Sequence, residues 1–240
     1  MRHLAGPLAL LVLIPALALG CSSPNAEAPE SAGPDTASSS RAAAHSRAES
    51  GTHTDLAHRG PVAQADPGPD IDTTKLEAAG GVAYFAGGCF WGVEHFMEQI
   101  DGVLRVESGY MGGHIDDPSY EQVSSRSSGH LETVRIYFDP DKVVFAVLAK
   151  RFFEIHDPTQ TDGQGPDIGP EYLSRVFVTG PEQRDATEGL IAKLEARGYE
   201  VATTVEAAQT FWIAEDYHQD HYAKAGTQPY CHAPVDRFGD

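Results

Sequence analysis

The chain has 240 residues, with 35 acidic and 17 basic side chains and a formal charge of −18. Hydrophobic residues make up 41% and aromatics 9%, a globular composition that excludes a wholly disordered chain, a collagen-like fibre and a polytopic membrane protein. The acidity argues against nucleic acid as a main partner, because phosphate binding needs a basic face, and three cysteines are too few for a disulfide scaffold.

The chain opens with Arg2 and His3, followed by an apolar run from Leu4 to Leu19 that Gly6, Pro7 and Pro15 interrupt. The run is shorter than the ~20 residues of a membrane-spanning helix and reads as a secretory signal over residues 1–20. Leu17-Ala18-Leu19-Gly20-Cys21 resembles a bacterial lipoprotein cleavage box, in which Cys21 becomes the acylated N-terminus. Leu19 is bulkier and Ala18 smaller than is usual there. The alternative is a plain signal peptide cut nearby, leaving Cys21 a free thiol.

Residues 21–80 read as an acylated Cys21 followed by a disordered linker. No Phe, Tyr or Trp occurs in that stretch, so it cannot bury enough apolar surface to offset its ordering entropy. As a coil it would span about 40–45 Å, which suits a tether. His45, His53 and His58 are too dispersed for a metal site. The implied location is extracytoplasmic, lipid-anchored to a bacterial cell membrane.

Residues 81–240 hold every Phe, Tyr and Trp of the chain, with 26 acidic and 12 basic residues, and are one domain's worth. Val82 to Ala86 reads as a buried strand ending at Gly87-Gly88. Cys89 to Ile100 has helical spacing, with Phe90, Val93, Phe96, Met97 and Ile100 on one side. Val103 to Tyr110 and Leu131 to Phe138 alternate as strands, the latter with Leu131, Thr133, Arg135 and Tyr137 opposite Val134, Ile136 and Phe138. Val143 to Ile155 is helical and Leu173 to Val178 a strand. Pro181 opens a helix capped by Thr179 with Glu182, carrying Leu190, Ile191 and Leu194 inward and stopping at Gly198. Strands over Glu200 to Val205 and Thr210 to Ile213, a helix over Ala214 to Lys224 and an irregular tail complete the chain. This order predicts an α/β (α+β) two-layer sandwich, a ferredoxin-like mixed sheet with flanking helices.

The densest chemical signal is Gly87-Gly88-Cys89-Phe90-Trp91-Gly92 at the strand-to-helix turn. A cysteine in the first turn of a helix meets unpaired amides and the positive end of the macrodipole, both of which favour thiolate. The glycines allow close backbone approach to a ligand. A buried structural cysteine is the alternative. Glu215, His218 and His221, at i, i+3 and i+6, lack a further Cys or His at metal-site spacing. Asp162 to Asp167 lacks the EF-hand pattern, and no nucleotide-binding glycine motif occurs. No metal and no bound cofactor is implied.

At this point the sequence resembles the methionine sulfoxide reductase A family, over about Val82 to Cys231. The matching blocks, in order, are Gly88-Cys89-Phe90-Trp91-Gly92; Gly109-Tyr110 with Gly112-Gly113; Tyr120 with Val123; Gly129-His130 with Glu132; and His156 to Gln160. They continue with Gln164-Gly165, Asp167, Gly169 and Tyr172, then Ala214 to Gln219, and Tyr230-Cys231. The resemblance implies thiol-dependent reduction of methionine (S)-S-oxide, free or in proteins. Cys89 would be the nucleophile and Glu132 the acid. Tyr110 and Tyr172 would bond the sulfoxide oxygen, Asp167 would add a polar group, and Phe90 and Trp91 would hold the S-methyl. His218 would lie near the pocket. Cys89 would become a sulfenic acid that Cys231 resolves as a disulfide, which a thioredoxin-like protein reduces. Ser124 stands where many relatives carry a cysteine. The whole would be a monomeric, membrane-tethered repair enzyme for oxidised envelope proteins. A different thiol enzyme would be favoured by a Cys-x-x-Cys pair, and a non-catalytic binding lipoprotein by loss of Cys89 or Glu132. The sequence has neither feature.

Overall fold

The computed structural model describes residues 71–239. The expected signal segment, Cys21 and most of the linker lie outside them. The elements run α1 (Thr73–Ala78), β1 (Val82–Ala86), α2 (Phe90–Met97), β2 (Val103–Met111), α3 (Tyr120–Ser124), β3 (Leu131–Phe138) and α4 (Phe145–Ile155). A small hairpin of β4 (Gly163–Gln164) and β5 (Asp167–Ile168) and a 3₁₀ turn (Pro170–Tyr172) follow. The chain then forms β6 (Arg175–Val178), α5 (Pro181–Ala196), β7 (Thr204–Ala207), β8 (Trp212–Ile213) and α6 (His221–Ala225).

The six-stranded sheet has the order β7-β6-β1-β3-β2-β8. Its inner four strands, β6-β1-β3-β2, pair antiparallel with one another. With α2 after β1 and α4 after β3 they form the split βαβ unit that the element order implies. The edge strand β7 pairs parallel to β6, because α5 carries the chain back across the face before it pairs. The sheet is therefore mixed.

Strand periodicity sorts the side chains into two layers. Phe85, Val134, Ile136 and Phe138 face α2 and α4 and pack with Phe90, Val93, Met97, Leu148 and Phe152. Ala86, Met111, Leu131 and Phe177 form a smaller cluster on the other face, beside Tyr84 and Phe211. The alternation along β3 thus marks real faces, although both are covered. On the second face Arg135 bonds Glu107 through Nε at 2.7 Å and lies 4.5 Å from the Phe211 ring centroid, so charge and aromatic surface cover it together.

Four local expectations differ, one being the strand expected over Glu200 to Val205, which forms at Thr204–Ala207. Helix α1 lies within the stretch that composition reads as linker. Asp72 accepts from the Lys75 amide, and Gly81 N–H bonds the Leu76 carbonyl, which ties the helix to the start of β1. At α5 the N-cap is Gly180, without a side-chain cap. Gln183, and not Glu182, accepts from the Thr179 amide and donates to the Val82 carbonyl at 2.7 Å. The segment from Ala214 is turns as far as Asp220, whose left-handed backbone (φ 50°) delays α6 to His221.

A side-chain amide helps to hold these turns to the sheet. Gln219 is buried. Its Oε1 accepts from the Ser108 amide at 2.9 Å, and its Nε2 donates to the carbonyls of Ser108 and Ala214 at 2.9 and 3.0 Å. The side chain stands in for a strand neighbour along β2. Gln219→Ala leaves a buried Ser108 N–H unpartnered and should cost about 1–3 kcal/mol, read as a lower midpoint in thermal unfolding. An unchanged midpoint would contradict this account.

Candidate active site

Strand β1 delivers the chain to Gly87-Gly88. Gly88 is left-handed (φ +96°), and a Cβ there would run into the Gln164 side chain. Cys89 is the N-cap of α2. Cys89 is 7% exposed. Hydrogen bonding to the neighbouring Cys231 thiol raises the Cys89 pKa, and burial raises it further. The Trp91 amide at the start of α2 pulls the other way. The helix-start amide is present as the sequence implies, but while Cys231 sits against Cys89 the thiol form prevails. Both cysteines are free.

Glu132 stands on β3, paired in register with Tyr110 on β2, and is 3% exposed. One oxygen accepts from the Phe90 amide at 3.0 Å. Burial pushes its pKa well above the carboxylate range, the neighbouring Cys89 pushes it further, and the Phe90 amide opposes both. The carboxyl is therefore harder to ionise than one in water. Glu132 and Cys89 are brought together as a proton donor and a nucleophile.

The phenols are arranged differently from expectation. Tyr110 is fully buried and its hydroxyl donates to Glu215 Oε2 at 2.9 Å. Tyr120, at the start of α3, lies near Glu132 and Cys89. Tyr120 and Tyr172 are half-buried and share a hydrogen bond. The pKa of each is raised by burial first and then by the charge of Glu132, with Cys89 contributing. Tyr120 and Tyr172 face the Cys89–Glu132 pair, and Tyr110 braces them from behind. The brace is Glu215, whose other oxygen accepts from the Tyr120 amide at 3.0 Å. Burial alone would raise its pKa, but these hydrogen bonds and nearby His218 outweigh it and leave it below the usual value. The capping box of Ser119 and Gln122 fixes the start of α3.

Phe90 is buried and Trp91 half-buried. The Trp91 indole N–H donates to Nδ1 of His218 at 3.1 Å, and its ring stacks on His221 at 3.6 Å. His218 is buried behind these rings, 4.9 Å from Phe90 and 4.7 Å from Tyr120 between centroids. Burial lowers its pKa to about 4, so the ring is neutral near pH 7. Among the described residues no group of three His, Cys, Asp or Glu side chains is placed to hold a metal ion.

The tail closes the site. Asp167 on β5 accepts the Tyr230 hydroxyl at 3.0 and 3.1 Å, so it holds the tail as well as bordering the pocket. Cys231 lies over Gly165, where a Cβ would come within 3.9 Å of it, and its sulfur is 3.0 Å from Nδ1 of His232. Sequence reasoning thus missed Tyr120, Glu215 and His232. All three stand inside or beside blocks that it singled out, but which one faces the sulfur depends on strand register and packing.

The comparisons with known proteins agree with this geometry. Residues 81–239 match the family model described as peptide methionine sulfoxide reductase. The chain is 44% identical over 167 residues to peptide methionine sulfoxide reductase MsrA 1 of Rhodopirellula baltica, covering 69% of this chain and 87% of that one. It is 46% identical over 155 residues to the MsrA of Erwinia tasmaniensis, covering 64% and 87%. The crystal structure of Mxr1 from Saccharomyces cerevisiae in reduced form superposes with a TM-score of 0.60 at 28% identity, covering 65% of this chain and 92% of that one. With a family match across the whole folded part and relatives spanned over most of their length, the chain belongs to the peptide methionine sulfoxide reductase family.

Proposed function

We propose that this protein reduces methionine (S)-S-oxide to methionine by thiol chemistry at Cys89. The observation that carries the reading is the buried Glu132 carboxyl, its pKa raised by burial, beside Cys89. A sulfoxide oxygen gathers negative charge as a thiolate attacks its sulfur, and it needs a proton at that moment. Glu132 supplies it, and the hydroxyls of Tyr120 and Tyr172 steady the oxygen. Phe90 and the edge of Trp91 offer an apolar seat for the S-methyl group. Methionine then leaves and Cys89 is left as a sulfenic acid.

Cys231 resolves that state. It already lies against Cys89, so a short movement forms the Cys89–Cys231 disulfide and releases water. A thioredoxin-type dithiol returns the pair to thiols, and no bound cofactor takes part. The tail that carries Cys231 hangs on Asp167 through Tyr230, which lets it withdraw when substrate enters.

The location follows from the N-terminal sequence. The apolar run, Leu17-Ala18-Leu19-Gly20-Cys21 and an aromatic-free stretch support a secreted lipoprotein whose catalytic domain is tethered outside the cytoplasmic membrane. Its substrates there are oxidised envelope proteins, and it works as a monomer.

The S and R epimers of dabsyl-methionine sulfoxide, with dithiothreitol as reductant, test the reading. The S epimer alone should turn over, and Cys89→Ser should abolish the activity. Cys231→Ser should still form one equivalent of methionine per enzyme but lose recycling by thioredoxin. No reduction of either epimer by the intact protein would refute the function.

The two tyrosines separate in a second test. Tyr120→Phe removes a hydroxyl from the reacting oxygen and should lower kcat by about 10- to 100-fold, the equivalent of a lost oxyanion donor of roughly 1.4–2.7 kcal/mol. Tyr110→Phe removes a brace and should lower the unfolding midpoint while kcat stays within about threefold. The reverse ranking in kcat would restore Tyr110 to the pocket.

A further inference from the structure

His232 lies beside the resolving sulfur and has no part in the chemistry above. Its ring is 4% exposed. Nε2 is 2.7 Å from the Gly87 carbonyl oxygen. A carbonyl only accepts, so Nε2 carries the hydrogen, and a neutral ring then has its lone pair on Nδ1. That nitrogen is 3.0 Å from Sγ of Cys231, so the Cys231 thiol donates to it.

The ring is held from two further sides. A Cβ on Gly92 would collide with Nδ1 and Cγ, and a Cβ on Gly88 would come 3.4 Å from Cε1. The motif glycines therefore make a slot for the imidazole at the start of α2, beside Cys89. Burial pushes the His232 pKa below the usual imidazole value, the Gly87 bond and the charge of Asp167 opposing it. The ring is neutral near pH 7 and free to take a proton.

We propose that His232 is the general base for Cys231, so that the resolving cysteine carries its own proton acceptor. The proposal rests on the reading of Cys89 as oxygen acceptor and Cys231 as resolving thiol. After methionine leaves, Cys231 S–H gives its proton to Nδ1. The sulfur attacks the Cys89 sulfenic sulfur, the S–S bond forms and the S–O bond breaks. The departing hydroxide takes up one proton to become water, and the imidazolium gives one back, so the ring ends neutral. Cys231 is oxidised and the Cys89 sulfur is reduced by the same amount. The Nε2 bond to Gly87 ties the base to the nucleophile loop, which keeps the proton acceptor at the place where the two sulfurs must meet.

The test separates the two half-reactions in the full chain. Enzyme is mixed with one equivalent of the S-sulfoxide. Methionine is followed by quenched flow, and disulfide formation by the loss of titratable thiols. His232→Gln keeps an N–H for Gly87 but has no basic nitrogen. Its methionine burst should stay within about twofold of wild type, which also shows that it is folded. Its disulfide step should slow by roughly 100-fold or more, the size of a lost general base. In His232→Ala, added imidazole should recover part of that rate, which a merely structural role would not allow. A disulfide step at the wild-type rate in His232→Gln overturns the proposal. So does an equal slowing of both steps, or the absence of imidazole rescue in a slowed His232→Ala. A wild-type protein that forms no methionine at all refutes the underlying reading of Cys89 instead.

Discussion

A carboxylate taken out of water loses several kcal/mol of hydration unless it is paired or protonated. Glu132, 3% exposed on a central strand, has no basic partner among the described residues; it accepts from the Phe90 amide and lies near Cys89. Protonation is the way out, and the rest of the site is arranged around it. The same bond that holds the carboxyl fastens β3 to the first turn of α2, so the acid and the nucleophile are positioned by one contact between sheet and helix. The core rings of Phe85, Phe90 and Phe152 exclude water from that contact.

The other groups divide into those that face the reaction and those that hold them. Tyr120 and Tyr172 face it. Tyr110 and Glu215 form a brace behind Tyr120, with His218 supporting the Trp91 indole. Gln219 pins that whole segment to β2. Three ionisable residues thus serve as fixed scaffolding, each hydrogen-bonded or neutral. The tail is different in kind. It meets the site through Tyr230, Cys231 and His232.

Much of this was legible in the sequence because it is local. Two glycines before a cysteine and an aromatic pair mark a strand running into a helix, and Gly88 does take the left-handed backbone that a side chain would resist. The alternation along Leu131 to Phe138 gave the faces of β3, and with them the side on which Glu132 lies. The choice between Tyr110 and Tyr120 was not local. Both sit in blocks shared with the family, and Tyr110 is even the register partner of Glu132. Its hydroxyl is drawn off by Glu215, a residue 105 positions away. The segment from Ala214 has helical spacing, but the long-range bonds of Gln219 and the left-handed Asp220 hold it in turns. His232 followed a recognised cysteine, yet its role depends on the slot that Gly88 and Gly92 leave in three dimensions.

The central claim is that Glu132 is a neutral acid at working pH, and infrared difference spectroscopy reads that state directly. The spectrum of the protein at pH 7 minus that of Glu132→Gln should contain the C=O stretch of a protonated carboxylic acid. The subtraction removes Glu94 and Glu98, whose pKa values burial raises to about 8 and about 7. Because the Glu132 pKa is raised, the band should outlast the pH range in which an ordinary carboxyl ionises and fade as pH rises further, together with kcat/KM. A carboxylate band at pH 7 in its place would contradict the account.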